Sequence, residues 1–389
     1  MRIALAAIFK NECEYILEWI AYHRRIIGIT DFIIADNVSD DGSSQLLEAL
    51  DQAGQIKRIF FPRISDTEGP QVPAYNHIIE SFSQDYDYFL FIDADEFLVN
   101  NTELPLTDFI ATCETNPNFG ALALNWRIFG SSGNTYKQDG LVIERFYRAS
   151  RKVEKVNCHV KTLVASKAVQ KMHIHQADLK DNYIFINENR EKVIFLDRPS
   201  SSTPCPDNKS APFTKDINNS LFYVAHFAVK SKSEHFSKKA GRGSAGGLSS
   251  REKGRQYFTG HDLNQEICMD LHKHCEIVED EIRSIKRNLK EKSPYYAYIR
   301  VNLDNRYDRF SGWITTDFDG PVTIQCLLDS KTQVELTLNT QRKDVYAKGL
   351  SSIQKCGFSY PWSEIGKYSQ NIKAWVKGGN LVFLDISLN

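Results

Sequence analysis

Tyr86-Asp87-Tyr88-Phe89-Leu90-Phe91-Ile92-Asp93-Ala94-Asp95-Glu96 is an aromatic and aliphatic run that stops at three carboxylates. A short apolar run bounded by polar residues reads as a buried strand. Side chains alternate along extended backbone, so Asp93 and Asp95 emerge on the same side at the strand's carboxyl edge, where an α/β sheet places its ligands. Two carboxylates so placed suit Mg²⁺ or Mn²⁺, hard cations that prefer oxygen ligands and leave room for phosphate oxygens. Asp-x-Asp alone arises often by chance, so its weight depends on its surroundings.

Working back toward the N-terminus, strand and helix signals alternate. Ile3 to Phe9 is a short apolar run. Glu12 to Ile27 carries apolar residues at Tyr15, Ile16, Trp19, Ile20, Ile26 and Ile27, near a helical period, and Asp31 to Ala35 is again a strand. A helix over Ser43 to Ala53, capped by Ser43 or Asp41 and stopped by Gly54, a strand Ile56 to Phe61 and a helix Pro73 to Phe82 complete the approach. This alternation predicts an α/β fold, a mostly parallel sheet flanked by helices.

The turn after the second strand reads Asp36-Asn37-Val38-Ser39-Asp40-Asp41-Gly42-Ser43. A carboxylate there can accept hydrogen bonds from a uracil or a ribose, while Gly42 and Ser43 turn the chain into a helix. A plain turn and cap would use the same residues.

Composition sets the outer bounds. The 389 residues exceed what one hydrophobic core usually serves, so two domains are the first expectation, one of them roughly 250 residues. Apolar residues at 42% and charged residues at 25% exclude the disordered and fibrous classes. A net charge of -1 gives no long-range attraction for nucleic acid or an anionic membrane. No stretch approaches the roughly 20 apolar residues of a spanning helix, and Lys10-Asn11-Glu12 interrupts the first apolar run before a signal core is complete. A cytoplasmic chain is expected, with any membrane association peripheral at the inner face. The eight cysteines show no Cys-x-x-Cys spacing, which fits reduced thiols.

Beyond residue 120, Ala121 to Phe129 and Val156 to Ala165 read as strands and Pro199 to Phe213 as a surface loop. Gly241 to Gly254 is rich in Gly and Ser. Asp262 to Lys290 has apolar residues every three or four positions, one amphipathic helix. After Pro294, short runs broken by Gly, Pro, Asp and Asn predict a small all-β sandwich. The expected division is residues 1–260, a helical connector over 261–293, and the sandwich over 294–389.

Several residues carry open alternatives. Lys230, Lys238, Lys239 and Arg242 can clamp a pyrophosphate beneath a closing Gly-rich lid, or form a solvated loop. Phe129-Gly130-Ser131-Ser132-Gly133 can let an acceptor sugar approach the backbone with Trp126 as an aromatic face; a loop turn with a core tryptophan reads equally well. For a general base, Asp139 and Glu144 come first, with His175 and Asp178 open.

Taken together, the chain resembles the GT-A glycosyltransferases, a Rossmann-like nucleotide-diphospho-sugar transferase fold, and among them the family 92 enzymes and related family-2-like bacterial proteins. The residues that carry the resemblance are Lys10-Asn11-Glu12 with Tyr15 to Trp19 and His23, Asp36-Asn37-x-Ser39-x-Asp41-Gly42-Ser43, and Asp93-x-Asp95-Glu96-Phe97-Leu98. They continue with Trp126-x-x-Phe129-Gly130-Ser131-Ser132-Gly133, Glu144-Arg145-Phe146, Lys161, His175, His226-Phe227, Lys230-Ser231 and Arg242-Gly243. The resemblance implies inverting transfer of a hexose from a nucleotide-sugar, commonly UDP-galactose or a similar UDP-hexose, to a saccharide or glycolipid hydroxyl in surface polysaccharide or lipopolysaccharide synthesis. It also implies that Asp36 contacts the nucleoside and that Asp93, Asp95 and His226 hold the metal; a core histidine is the other reading of His226. Imidazole suits Mn²⁺ better than Mg²⁺. Two other functions are weighed. A nucleotidyltransferase would need a Gly-rich loop after the first strand, which Phe9-Lys10-Asn11-Glu12 does not supply; a saccharide-binding protein would bind sugar without turnover.

Overall fold

The computed structural model describes residues 1–39, 42–62, 69–199, 201, 203–205, 211–236, 253–292, 299–303, 309–316, 322–329, 332–347, 351, 354–365, 371–376 and 382–387. The chain divides into two compact units, Met1–Val38 with Ile56–Arg283, and Ser39–Gln55 with Ser284–Asn389. Asp41, Lys238, Lys239 and Arg242, and with them the expected lid, lie outside the described residues.

The elements run β1 (Ile3–Phe9), α1 (Cys13–Tyr22), β2 (Asp31–Asp36), α2 (Ser43–Gln52), β3 (Lys57–Phe60), α3 (Gln71–Phe82), β4 (Tyr88–Phe91), β5 (Glu96–Asn100), α4 (Leu106–Cys113) and β6 (Phe119–Ile128). The expected alternation is observed within a residue or two at most ends. One detail differs. Ser43 is the first helical residue of α2 rather than its cap, and Gly42 occupies the cap position with φ 94, a left-handed conformation that costs glycine little.

A nine-stranded mixed sheet organises the first unit. Its order is β3-β2-β1-β4, then Val160–Ala165, β6, Phe222–His226 and β5, with Ile184–Ile186 also paired to β6. β3, β2, β1 and β4 are mutually parallel, as expected for βαβ units, while Val160–Ala165 runs antiparallel to both β4 and β6. Three strands separate β4 from β5, although only Ile92–Asp95 links them in sequence. A flat sheet would need about 19 Å for four strand spacings, and five extended residue steps reach about 17 Å. The sheet therefore curls, and the acidic run is the bridge across its mouth.

The main core is built from strand residues such as Ala4, Ala6, Ile33, Phe89, Phe91, Ala121 and Val164 with Ala74, Tyr75 and Ile78 of α3. Alongside the small alanines of β1 and β6, Tyr75 packs on Phe91 with ring centroids 4.6 Å apart and the rings tilted by 42°.

The helix expected over Asp262 to Lys290 begins only at Cys275. Before it, Asp262 Oδ1 accepts the Ser131 amide and Asn264 Oδ1 the Ser132 amide, and Glu266–Ile267 pairs with Arg148–Ala149. These side-chain bonds compete with helix formation, the usual behaviour of Asp and Asn. Similarly, Lys155–Cys158 is a 3₁₀ turn rather than the start of the next strand.

In the second unit, Ile299–Leu303, Arg309–Thr316 and Gly357–Pro361 form one antiparallel sheet, and Thr332–Thr337, Thr323–Leu328, Asn371–Val376 and Val382–Ser387 another. Phe310, Ile324, Cys326, Phe358, Ile372 and Ala374, from both sheets, share one apolar cluster. Two short helices, Lys343–Ala347 and Trp362–Ile365, were not expected from the sequence.

Candidate active site

Because β2, β1 and β4 are adjacent and parallel, their carboxyl ends lie side by side. Phe9 is opposite Asp36, and the Asn37 amide donates to Phe9 O at 3.0 Å. On the other side Ala6 is opposite Phe91, and the Ile92 amide reaches Ala6 O. The sheet thus brings Lys10-Asn11-Glu12, Asp36-Asn37 and the acidic run to one edge.

Helix α1 fixes the acidic bridge from below. The Trp19 indole N–H is shared between Asp93 O at 3.1 Å and Glu96 O at 2.9 Å. One turn later, His23 Nε2 accepts the Leu98 amide while Nδ1 meets Trp19 O. Burial lowers His23 to about 3, so the ring is neutral and bears its proton on Nδ1.

The three carboxylates have different surroundings. Asp93 Oδ1 accepts from Gln71 Nε2 at 2.6 Å and Tyr75 Oη at 3.1 Å, both from α3, and Oδ2 lies 2.9 Å from the Lys161 ammonium. Burial disfavours its charge, but Lys161 outweighs burial and holds Asp93 below the usual carboxylate range. Glu96 is fully buried; its Oε2 accepts the Asp93 amide at 2.8 Å and lies 3.4 Å from Lys161. Burial pushes Glu96 upward despite Lys161, and its Oε1 has no hydrogen-bond partner among the described residues.

Asp95 faces the other wall. His226 closes its strand opposite Glu96, with Nε2 3.6 Å from Asp95 Oδ2 and Nδ1 3.9 Å from Glu96 Oε1. Asp95 and His226 retain 15% and 7% of their side-chain exposure, so the gap between them can be reached. An oxygen and a nitrogen at this spacing are compatible with a two-ligand Mn²⁺ or Mg²⁺ site whose other positions go to phosphate and water. Among the described residues no group of three or more His, Cys, Asp or Glu side chains is arranged to hold a metal ion.

The donor-side residues are placed as follows. Asp36 is fully buried and receives Arg58. Asn37 Oδ1 is buried with no hydrogen-bond partner among the described residues. Lys10 is exposed, Asn11 has φ 56, and the Glu12 carbonyl accepts the first amides of α1. Ser39 belongs to the second unit, where its amide donates to Ser44 Oγ. Lys230, also at positive φ, lies over the Tyr15 ring at 3.8 Å.

The acceptor-side residues have structural partners. Trp126 is 6% exposed; its indole stacks on His159 at 4.5 Å and meets His226 at 4.3 Å and His175 at 5.3 Å. With one face covered by His159, this geometry supports the core reading of Trp126 over the sugar platform. Phe129 is buried against Phe227, Ser131 bonds to Asp262, and Ser132 Oγ accepts the Tyr147 and Arg148 amides. Among the base candidates, Glu144 caps its own short helix through the Leu141 amide and Asp139 is exposed. Asp178 pairs with His173 at 2.9 Å. His175 is lowered to about 3 by burial and by Lys161.

Gln71, Tyr75 and Lys161 were assigned no role from sequence. A lone cation at the head of Val160-Lys161-Thr162-Leu163-Val164-Ala165 signals a buried charge that needs a partner, but only strand pairing identifies Asp93 as that partner.

The profile of glycosyltransferase family 92 matches residues 3–209. A glycosyltransferase family 92 protein of Oryza sativa subsp. japonica is 29% identical over 134 residues, 34% of this chain and 22% of that protein. One of Ricinus communis is 27% identical over 133 residues, 34% and 23% respectively. The matched stretch thus spans less than a quarter of each relative. Among solved structures, S. aureus TarS covers 100% of this chain and 77% of its own at 12% identity and a TM-score of 0.31. S. aureus TarS 1-349 in complex with UDP covers 82% and 97% at 14% identity and a TM-score of 0.31.

Proposed function

The chain belongs to glycosyltransferase family 92, and from that premise we propose that it transfers a hexose from a nucleotide-sugar, a UDP-sugar first, to a saccharide or glycolipid hydroxyl with inversion. The observation that carries the reading is the shared sheet edge, where Asp36-Asn37 and the run from Asp93 lie at the carboxyl ends of β2 and β4, the two parallel strands that flank β1. A nucleotide laid along that edge would meet Asn37 Oδ1, a buried acceptor lacking a donor among the described residues, and a uracil or ribose can supply the missing N–H or O–H. Asp36 would hold the nucleoside, with Lys10, Asn11, Glu12, Ser39 and Asp41 contributing as the resemblance implies.

Asp95 and His226 would hold Mn²⁺ or Mg²⁺. Neutralising the charge that builds on the departing diphosphate is the chemistry such an ion would supply there. Lys230 and Arg242 would add cationic charge on the pyrophosphate side. Asp139 and Glu144 keep their place as proposed bases, although the cap that Glu144 forms argues for a structural part in its case. A role in surface polysaccharide or lipopolysaccharide synthesis, peripheral attachment to a membrane and a β-sandwich accessory domain over 294–389 belong to the same proposal. No described helix is long and apolar enough to cross a membrane.

The test is a thermal-shift screen of UDP-, GDP- and CMP-sugars with and without Mn²⁺, followed by turnover against saccharide acceptors. A ligand at a hundred times its Kd stabilises the fold by about 2.7 kcal/mol. A metal-dependent shift with one nucleotide class and sugar transfer are expected. No shift with any nucleotide sinks the proposal, and oligosaccharide binding without turnover would indicate a binding protein instead.

A further inference from the structure

In the first unit, the segment after Asn264 and the turn after Arg148–Ala149 make one continuous surface. Side chains alternate along it: Gln265, Ile267 and Met269 are exposed, while Glu266, Cys268 and Asp270 bond to the buried Arg127 and Tyr223. Gln265 ties this strip to the turn, its Oε1 accepting the Arg151 amide at 2.9 Å and its Nε2 donating to Glu154 Oε2 at 3.1 Å. The turn is also pinned from within. Buried Asn157 donates to Arg151 O and Lys152 O, and buried Asn219 donates to Lys152 O. This support holds out Val153, 81% exposed, beside Ile267 at 64% and Met269 at 45%. Single exposed aliphatic residues are ordinary, but three on one firmly held surface call for an occupant.

The charges around them narrow the choice. Arg151, Lys152, Lys155 and Lys273 are exposed, and Arg148 is half-buried opposite Ile267. Against them stand the carboxylates of Glu154, Glu266 and Asp270, of which Glu266 is neutralised by Arg127 at 2.9 Å. A chain with a net charge of -1 thus gathers a local cationic excess here. The cores of protein interfaces are depleted of charged residues. Lysines and arginines around protruding aliphatic tips suit a bilayer with anionic headgroups, the tips entering between lipids and the cations resting on phosphates. We propose that this surface seats the protein on an anionic lipid bilayer. The inference gives a face to the peripheral attachment proposed above and rests on that reading. The same face adjoins the candidate active site: the Ser150 amide donates to Ile128 O, the Gly130 amide donates to Arg148 O, and Ile128 lies opposite His226. Seating therefore brings the carboxyl end of β6 to the lipid surface, where the sugar of a glycolipid acceptor would lie.

The test is co-sedimentation of the full chain with vesicles of phosphatidylcholine, alone or mixed with phosphatidylglycerol, at low and high salt. Wild type is compared with V153N/I267N, with R151Q/K152Q, and with K167Q/R198Q, which removes two exposed cations elsewhere in the same unit. Melting temperatures confirm folding. Wild type should bind the mixed vesicles, bind phosphatidylcholine weakly, and release as salt rises. R151Q/K152Q should lose about 30-fold in affinity for the mixed vesicles, about fivefold for each cation. V153N/I267N, with its charge unaltered, should lose about tenfold or more, and K167Q/R198Q should stay within about twofold of wild type. Absence of wild-type binding to mixed vesicles, or binding that neither patch variant weakens, overturns the proposal. So does a wild-type dimer in solution that V153N/I267N dissociates, which would assign the face to a second copy of the chain. Sugar transfer to a water-soluble saccharide should be equal in all four proteins, so failure of the seating and failure of glycosyl transfer are read separately.

Discussion

Arg58 donates through both Nε and Nη2 to one oxygen of Asp36, Oδ2, at 2.9 and 2.7 Å. The carboxylate is fully buried and the Arg58 side chain 18% exposed. Removing Arg58 leaves a buried charge without its cation, which typically costs about 3–5 kcal/mol. R58M should therefore unfold at much lower urea than wild type, whereas D36N, which removes the charge itself, should cost less. Both should weaken UDP-dependent stabilisation. An R58M chain within 1 kcal/mol of wild type, taken as about the size of an exposed pair, would place the ion pair outside the stability of this edge.

The parallel half of the sheet was legible because β1, β2 and β4 are continuous apolar runs, and runs of that kind are buried on both faces. The acidic run was legible because it follows such a strand directly. What was not legible depends on pairing between distant segments. That β5 closes the far side of the sheet, that Val160–Ala165 runs against β4, and hence that Lys161 meets Asp93, are set by register, which no local pattern encodes. Trp126 shows the same limit. Its aromatic ring read equally as a sugar platform or as a core residue, and only the fold shows that His159 stacks on one face. Asp262 and Asn264 obscured a boundary in another way, since a helical apolar period passes over residues whose side chains bind the 131–132 turn instead.

Glu18 gives a pH signature. It is buried on α1 and accepts the Val142 and Ile143 amides at 2.8 and 3.0 Å, and burial nonetheless raises it to about 7 from a usual 4.5. A carboxyl raised on folding holds its proton in the native state after the unfolded chain has lost it. Its contribution is complete below pH 4.5 and is lost as pH rises through 7, by about 3 kcal/mol in all. Relative to wild type, E18Q should lose up to one proton of this slope in melting temperature between pH 5 and 7. Parallel profiles for the two proteins would show that Glu18 is ionised throughout.

Gly130 begins the turn that the sequence suggested for an acceptor. A Cβ built there would lie 2.5 Å from Asn264 Oδ1 and 2.8 Å from Leu263 O. The second contact is backbone, so the 262–264 segment must move and release the Ser131 and Ser132 amides. G130A should lose about 1–3 kcal/mol, the usual cost of overpacking. If the turn contributes only to stability, donor-dependent thermal shifts survive; their loss would show that the turn also shapes the donor site.

Asn37 separates stability from function most sharply. Its Oδ1 is buried at the end of β2 without a hydrogen-bond donor among the described residues, and such an atom costs the folded state about 1–3 kcal/mol of desolvation. Folding alone gives no reason to keep that acceptor, while a nucleotide bringing an N–H or O–H gives one. N37A removes the unsatisfied oxygen, so its melting temperature should match or exceed that of wild type. Its affinity for UDP should fall by roughly tenfold, the value of one hydrogen bond to a buried partner. Calorimetric titration of UDP beside thermal denaturation reads both quantities. Lower stability with unchanged UDP affinity would assign Asn37 to the packing of the edge and take the nucleoside elsewhere.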